Sequence, residues 1–144
     1  MKKYSELEIY SASVEKSIEL PLSQSGVSAG FPSPADDPME LKLDLNRELI
    51  RNPSSTFFAR VSGVSMIDDG VGDGDLLLID KSVDPYDGCL AVCYIDGEFT
   101  LKRFKDNGDH ALLVPANKDY KSIKVTADND FMIWGVVRYL IKKM

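Results

Sequence analysis

Histidine is almost missing from this sequence, and the single copy, His110, narrows the chemistry at once. A histidine-based serine triad would have to use it, yet it follows Asn107-Gly108-Asp109, a loop signal, and reads as a solvated loop residue. Cysteine is nearly as scarce. Cys89 and Cys93 stand four apart, too distant along one extended strand for a disulfide. A metal site would need further Cys or His ligands, so no metal and no cofactor are expected. The two thiols read as buried small hydrophobes in a reducing compartment. Long apolar runs are lacking too. None approaches the ~20 residues that span a bilayer. The start, MKKYSELEIYSASVEKSIEL, opens on two lysines but has no apolar core of a signal peptide. The chain is therefore expected to be cytoplasmic and off the membrane. Finally, positive charge is in deficit, with 17 Lys and Arg against 23 Asp and Glu, a net of −6. A protein that grips DNA phosphates usually carries a basic surface, so no sequence-specific DNA binding is expected and protein partners are favoured.

The rest of the composition is that of a globular domain. Of 144 residues, 44% are hydrophobic and 28% charged, which allows one domain with a real core plus a tail. Residues 1–20 are mixed and polar, with alternation at Leu7, Ile9, Ile18 and Leu20, and read as an extended arm. Residues 21–38, PLSQSGVSAGFPSPADDP, hold four of the seven prolines and two glycines and read as a linker. This divides the chain into an N-terminal arm and linker, 1–38, and a β-rich domain, 39–144. Met39, Leu41, Leu43 and Leu45 alternate with polar residues as a half-buried strand does. Asn46 is expected to cap a helical turn over 47–51, which Pro53 ends. Strands are predicted at 56–61, 75–80, 89–95, 98–105, 111–114, 122–125 and 131–141. Asp96-Gly97 is the strongest hairpin signal. Short strands separated by turn signals predict an all-β fold, an antiparallel closed or partly open barrel or sandwich.

Chemistry concentrates in Val61-Ser62-Gly63-Val64-Ser65-Met66-Ile67-Asp68-Asp69-Gly70. A serine hydroxyl needs an adjacent base, and with histidine set aside a lysine remains. A lysine serves as base only when neutral, and desolvation favours the neutral amine. If Asp96 and Gly97 form a two-residue turn, Ile95 pairs with Glu98 and Ala91 with Lys102. Period two then puts Cys89, Ala91, Cys93, Ile95, Thr100, Lys102 and Phe104 on one face, with Arg103 and Lys105 on the other. Lys102 is thereby ringed by small and apolar side chains, although a strand lysine can also stretch to water. Ser65 reads either as a cap of the turn running to Gly70 or as a nucleophile. In the second case the backbone N–H groups of Ser65 and Met66 are placed to hold an oxyanion. Ala29-Gly30 reads either as flexible linker or as a scissile bond. A small residue suits a narrow pocket, glycine admits close approach, and Val27-Ser28-Ala29 can dock as an added strand.

These segments resemble the LexA/UmuD family of self-cleaving serine peptidases. The resemblance runs from about residue 29 to 137. It rests on Ala29-Gly30-Phe31-Pro32-Ser33-Pro34-Ala35, Asp44-Leu45-Asn46, Ser62-Gly63-Val64-Ser65-Met66-Ile67-Asp68, Asp73-Gly74-Asp75-Leu76-Leu77, Asp96-Gly97-Glu98-Phe99-Thr100-Leu101-Lys102 and Gly135-Val136-Val137. It implies Ser65 as nucleophile, Lys102 as general base and Ala29–Gly30 as the bond cut. It further implies a homodimer, stimulation by a RecA–single-stranded-DNA filament, and service after cleavage to a Y-family, UmuC-like DNA polymerase in translesion synthesis. Only 29 residues precede the bond, too few for a helix-turn-helix domain, which favours the mutagenesis branch over the repressors. The member of that branch for which the family is named has cysteine where Ala29 stands and an acidic residue at the position of Val64, whereas the repressors have alanine at the first. Residues 1–29 hold three Lys and four Asp or Glu, so their loss removes little charge. The switch is therefore expected to act by uncovering surface. Three other readings stay open: a non-catalytic binding module, a LexA-like regulator without its DNA-binding domain, and a signal-peptidase-like Ser–Lys protease, which would need a membrane anchor.

Overall fold

The computed structural model describes residues 2–3, 7–12, 19–22 and 41–144. In chain order the elements are β1 (Lys2–Lys3), β2 (Leu7–Ser11), β3 (Glu19–Leu22), β4 (Leu41–Asp44), α1 (Leu45–Leu49), β5 (Thr56–Val61), β6 (Leu76–Asp80), β7 (Leu90–Ile95), β8 (Glu98–Asp106), β9 (Ala111–Val114), β10 (Ile123–Val125) and β11 (Phe131–Ile141). They form two units, Met1–Ala12 with Ser54–Met144, and Ser13–Pro53.

In the smaller unit β3 and β4 pair antiparallel, Glu19 opposite Asp44 and Leu22 opposite Leu41. The helix that follows starts earlier than the sequence suggested. Asp44, not Asn46, is the cap: it leaves the strand in extended geometry and its carboxylate accepts the Asn46 N–H at 3.1 Å. Asp and Asn are near-equal caps, so the choice falls to the residue whose backbone is still extended.

In the larger unit nine strands form one antiparallel sheet in the order β1-β2-β5-β6-β11-β7-β8-β9-β10. The expected all-β class is what the chain adopts. The alternation of Leu7 and Ile9 belongs to a strand inside this sheet. β2 lies against β5 with Leu7 opposite Val61 and Ser11 opposite Phe57, and Leu7 is wholly buried. Strand alternation divides the buried residues between two clusters. Leu7, Ala59, Leu77, Val92 and Leu101 belong to one, and Cys89, Ala91, Cys93, Leu113 and Val136 to the other.

Two details fix the site's scaffold. Asp96 and Gly97 both have positive φ, 48° and 92°, the backbone of a two-residue hairpin turn. Ile95 therefore faces Glu98, and Ala91 faces Lys102, the register inferred from the turn. β11 is shared by β6 and β7 and slips register between Ile133 and Gly135 against β7. A Cβ at Gly135 would overlap the Ile79 Cγ2 methyl, so β11 packs on the Ile79 side chain of β6 there only without a side chain of its own.

Candidate functional site

Lys102 occupies the middle of β8, on the face it shares with Thr100, and only 4% of it is exposed. Across the ladder lie Ala91, opposite Lys102, and Cys93, opposite Thr100, both without exposed surface. Burial, with help from Cys89 and against the pull of Lys102, pushes the Cys93 thiol up to about 12. This thiol stays protonated at neutral pH and is no competing nucleophile. Among the described residues the Lys102 Nζ meets three oxygens: Thr100 Oγ1 at 2.7 Å, Leu101 O at 3.0 Å and Ser65 Oγ at 3.1 Å. Nζ donates to each of these oxygens, and the Ser65 hydroxyl stands within direct proton-transfer reach of the amine.

Ser65 arrives from the other side of the sheet order, on the loop after β5. Gly63 starts it at φ 90°, and its N–H donates to the Asp73 carboxylate at 2.8 Å. The Ile67 N–H then reaches back to the Val64 carbonyl at 3.2 Å, so Ser65 and Met66 are the central residues of a tight turn. A 3-10 turn, Ile67–Asp69, continues it to Gly70. The anchors lie far off in sequence. Ala116 donates its N–H to the Ser65 carbonyl (2.9 Å) and accepts from the Asp68 N–H (2.7 Å). The Asn117 side-chain amide donates to the Val64 carbonyl at 2.9 Å. The Arg103 guanidinium bonds the Asp69 carboxylate at 2.8 Å and the Gly88 carbonyl at 3.1 Å. Met66 is buried beneath the turn and Ser65 is 7% exposed. Central turn positions leave their N–H groups unused, and among the described residues those of Ser65 and Met66 meet no acceptor. Two buried donors beside a hydroxyl are what a developing oxyanion needs.

Of the residues singled out from sequence, the structure brings Ser65, Met66 and Lys102 together. Ala29 and Gly30 lie outside the described residues. Cys89 and Cys93 are buried and free. His110 pairs through Nδ1 with Asp109 at 2.7 Å, and this contact holds the Asp109 carboxyl below its ordinary range. The contact of Thr100 with the lysine was not foreseen, although its place two residues before Lys102 on the same strand face was visible. Ala116 and Asn117 carry no local signal of their role, because only the folded chain brings them to the turn.

With this geometry in view, the chain's relatives are informative. Residues 21–138 match the family described as Peptidase S24-like. The chain is 40% identical to Protein MucA of Salmonella typhimurium over 121 residues, 83% of this chain and 82% of that protein. It is 42% identical to Protein SamA of Salmonella typhimurium strain LT2 over 123 residues, 85% of each. It is also 39% identical to LexA repressor 1 of Xanthomonas axonopodis pv. citri over 117 residues, 81% of this chain but 58% of the repressor.

Proposed function

The chain belongs to the S24-like peptidase family, and we propose that within it this protein is a self-cleaving serine peptidase of the SOS mutagenesis branch that cuts its own Ala29–Gly30 bond. The observation that carries the reading is the buried 3.1 Å contact between Lys102 Nζ and Ser65 Oγ. Residues 1–38 serve as arm and linker, and 39–144 as the peptidase domain.

Neutral Lys102 takes the Ser65 proton, and Ser65 Oγ attacks the Ala29 carbonyl carbon. The N–H groups of Ser65 and Met66 receive the oxyanion. The tetrahedral centre collapses, the protonated lysine gives its proton to the Gly30 nitrogen, and the C–N bond breaks. Water, deprotonated by the same amine, then clears the acyl-enzyme. Each chain is both enzyme and substrate, so the effective concentration of the bond depends on how the linker docks. A RecA–single-stranded-DNA filament that favours docking would accelerate the cut. By the same family reading the protein works as a cytoplasmic homodimer and, once cut, as an accessory of a Y-family, UmuC-like polymerase.

The test is mass spectrometry of purified chain, incubated at alkaline pH or with activated RecA filament. A new N-terminus at Gly30 is expected. A new N-terminus elsewhere overturns the assignment of the bond. An intact chain under both conditions would leave a non-catalytic binding module as the better reading.

A further inference from the structure

The proposed cut lies downstream of strands that are already part of the sheet. β2 makes five ladder positions against β5, from Leu7 opposite Val61 to Ser11 opposite Phe57. The Ala12 N–H extends the pairing to the Thr56 carbonyl at 3.3 Å. Leu7 is wholly buried in the cluster that holds Ala59, Val61 and Leu77, and Ile9 packs against the same cluster. Across the cut in the same sense, β3 pairs with β4 over four positions, Glu19–Leu22 against Leu41–Asp44. Breaking the bond between residues 29 and 30 removes none of these contacts.

We propose that the β5 edge is a strand-binding surface and that Leu7–Ser11 stays docked on it after the cut, so that cleavage by itself yields a two-piece complex of residues 1–29 and 30–144. The timing of the event, though not the edge itself, rests on the self-cleavage reading above. Main-chain hydrogen bonds supply the hold, and the Leu7 pocket supplies the selectivity, as in other cases of strand addition. The cut does change one quantity. It turns an intramolecular contact into a bimolecular one, so retention becomes concentration-dependent. Once β2 departs, Thr56–Val61 presents unpaired N–H and C=O groups beside an open Leu7 pocket. Such an edge accepts an extended antiparallel segment with a leucine-sized apolar side chain opposite Val61. The uncovered surface of the mature product is thus defined by shape and hydrogen bonding, which agrees with the small charge of the lost piece.

The experiment is size-exclusion chromatography with native mass spectrometry on fully cut chain at micromolar concentration. A second sample is a Ser65→Ala chain in which a site-specific protease sequence replaces residues 24–30, cut by the added protease. Co-elution of both pieces is expected in each sample. Leu7→Asp, which puts a charge into the pocket, should raise the concentration at which the pieces separate by about tenfold or more. Tyr10→Pro, which removes a donor on the β5-facing side of β2 without adding charge, should act in the same direction. Immediate separation of the unsubstituted pieces overturns the proposal. So does unchanged retention in both variants, which would put the hold elsewhere than β5. If the natural chain fails to cut while the protease-cut sample retains its fragment, the self-cleavage reading falls and the β5 surface stands.

Discussion

Lys102 is held by strand register, whereas Ser65 is held by a turn that takes its anchors from distant segments. On the strand, one hairpin decides everything. Asp96 and Gly97 set the pairing, the pairing puts Ala91 opposite Lys102, and alternation turns the lysine to the Cys93 side of the sheet. On the loop no single feature suffices. Gly63 supplies the angle, Asp73 and Ala116 supply hydrogen bonds, and the Arg103–Asp69 pair ties the loop to the strand that carries the lysine. Local rules therefore place Lys102, and tertiary contacts place Ser65.

The sharpest way to probe this contrast is to remove each half. Ser65→Ala should abolish cleavage and Ser62→Ala should preserve it, both measured as cut chain over time by gel or mass. Lys102→Arg should be inactive throughout about pH 6 to pH 11, because a guanidinium does not give up its proton in that range. Loss of a positioned base costs roughly 10²–10⁴-fold. An active Lys102→Arg chain would remove Lys102 from the chemistry.

Two glycines separate strand from loop in energetic terms. Gly135→Ala drives a methyl into Ile79 where β11 meets β6, and should destabilise by about 1–3 kcal/mol in urea unfolding. Gly63→Ala meets nothing within 4 Å, yet its φ of 90° disfavours any side chain, at roughly 1–2 kcal/mol. The first should change stability with little effect on the turn. The second should slow cleavage more than its stability loss explains, because the strain falls on the turn that aims Ser65. Equal effects of the two substitutions on cleavage would erase the distinction.

The smallest expected effect concerns the far end of the same loop. The Asp75 carboxylate accepts the Gly72 N–H at 2.7 Å and the Lys142 ammonium at 2.6 Å. Burial pushes this carboxyl up, but Lys142 and the Gly72 N–H outweigh it and hold it below its ordinary 3.8. A carboxyl whose folded value is depressed adds stability above its unfolded value, and that stability is lost as pH falls through the folded value. Asp75→Asn should therefore be less stable than wild type near neutrality, by about 1 kcal/mol or less, with the gap closing below about pH 4. Unfolding curves at several pH values check this, and a gap that widens on acidification would reverse the assignment.

The same contrast explains what the sequence made legible. The bounds of β5, β9 and β11 follow the apolar patterns at 56–61, 111–114 and 131–141, and the hairpin register follows from two residues. These depend on neighbours within a few positions. The membership of Leu7–Ser11 in the main sheet does not, because its partner β5 lies some fifty residues away and local alternation is the same for an arm as for a paired strand. The helix cap at Asp44 was missed by two residues because Asp44 and Asn46 carry nearly equal signals. Ala116, Asn117 and the Arg103–Asp69 pair had no signal at all. Alternation does put Arg103 on the face opposite Lys102, but nothing local says that a carboxylate waits there.

The aromatic cluster around Trp134, the chain's one tryptophan, has an optical consequence. Its ring centroid lies 4.9 Å from that of Phe57 on β5 and 5.7 Å from that of Phe99 at the base of the hairpin, with the Lys81 ammonium 4.9 Å above the ring. A single fluorophore thus touches both the strand on which β2 docks and the hairpin that carries Lys102. Its emission colour depends on water and charge at the indole, so the chain carries a built-in dye between β5 and the hairpin. Departure of a strand and distortion of the hairpin can be watched there without any label.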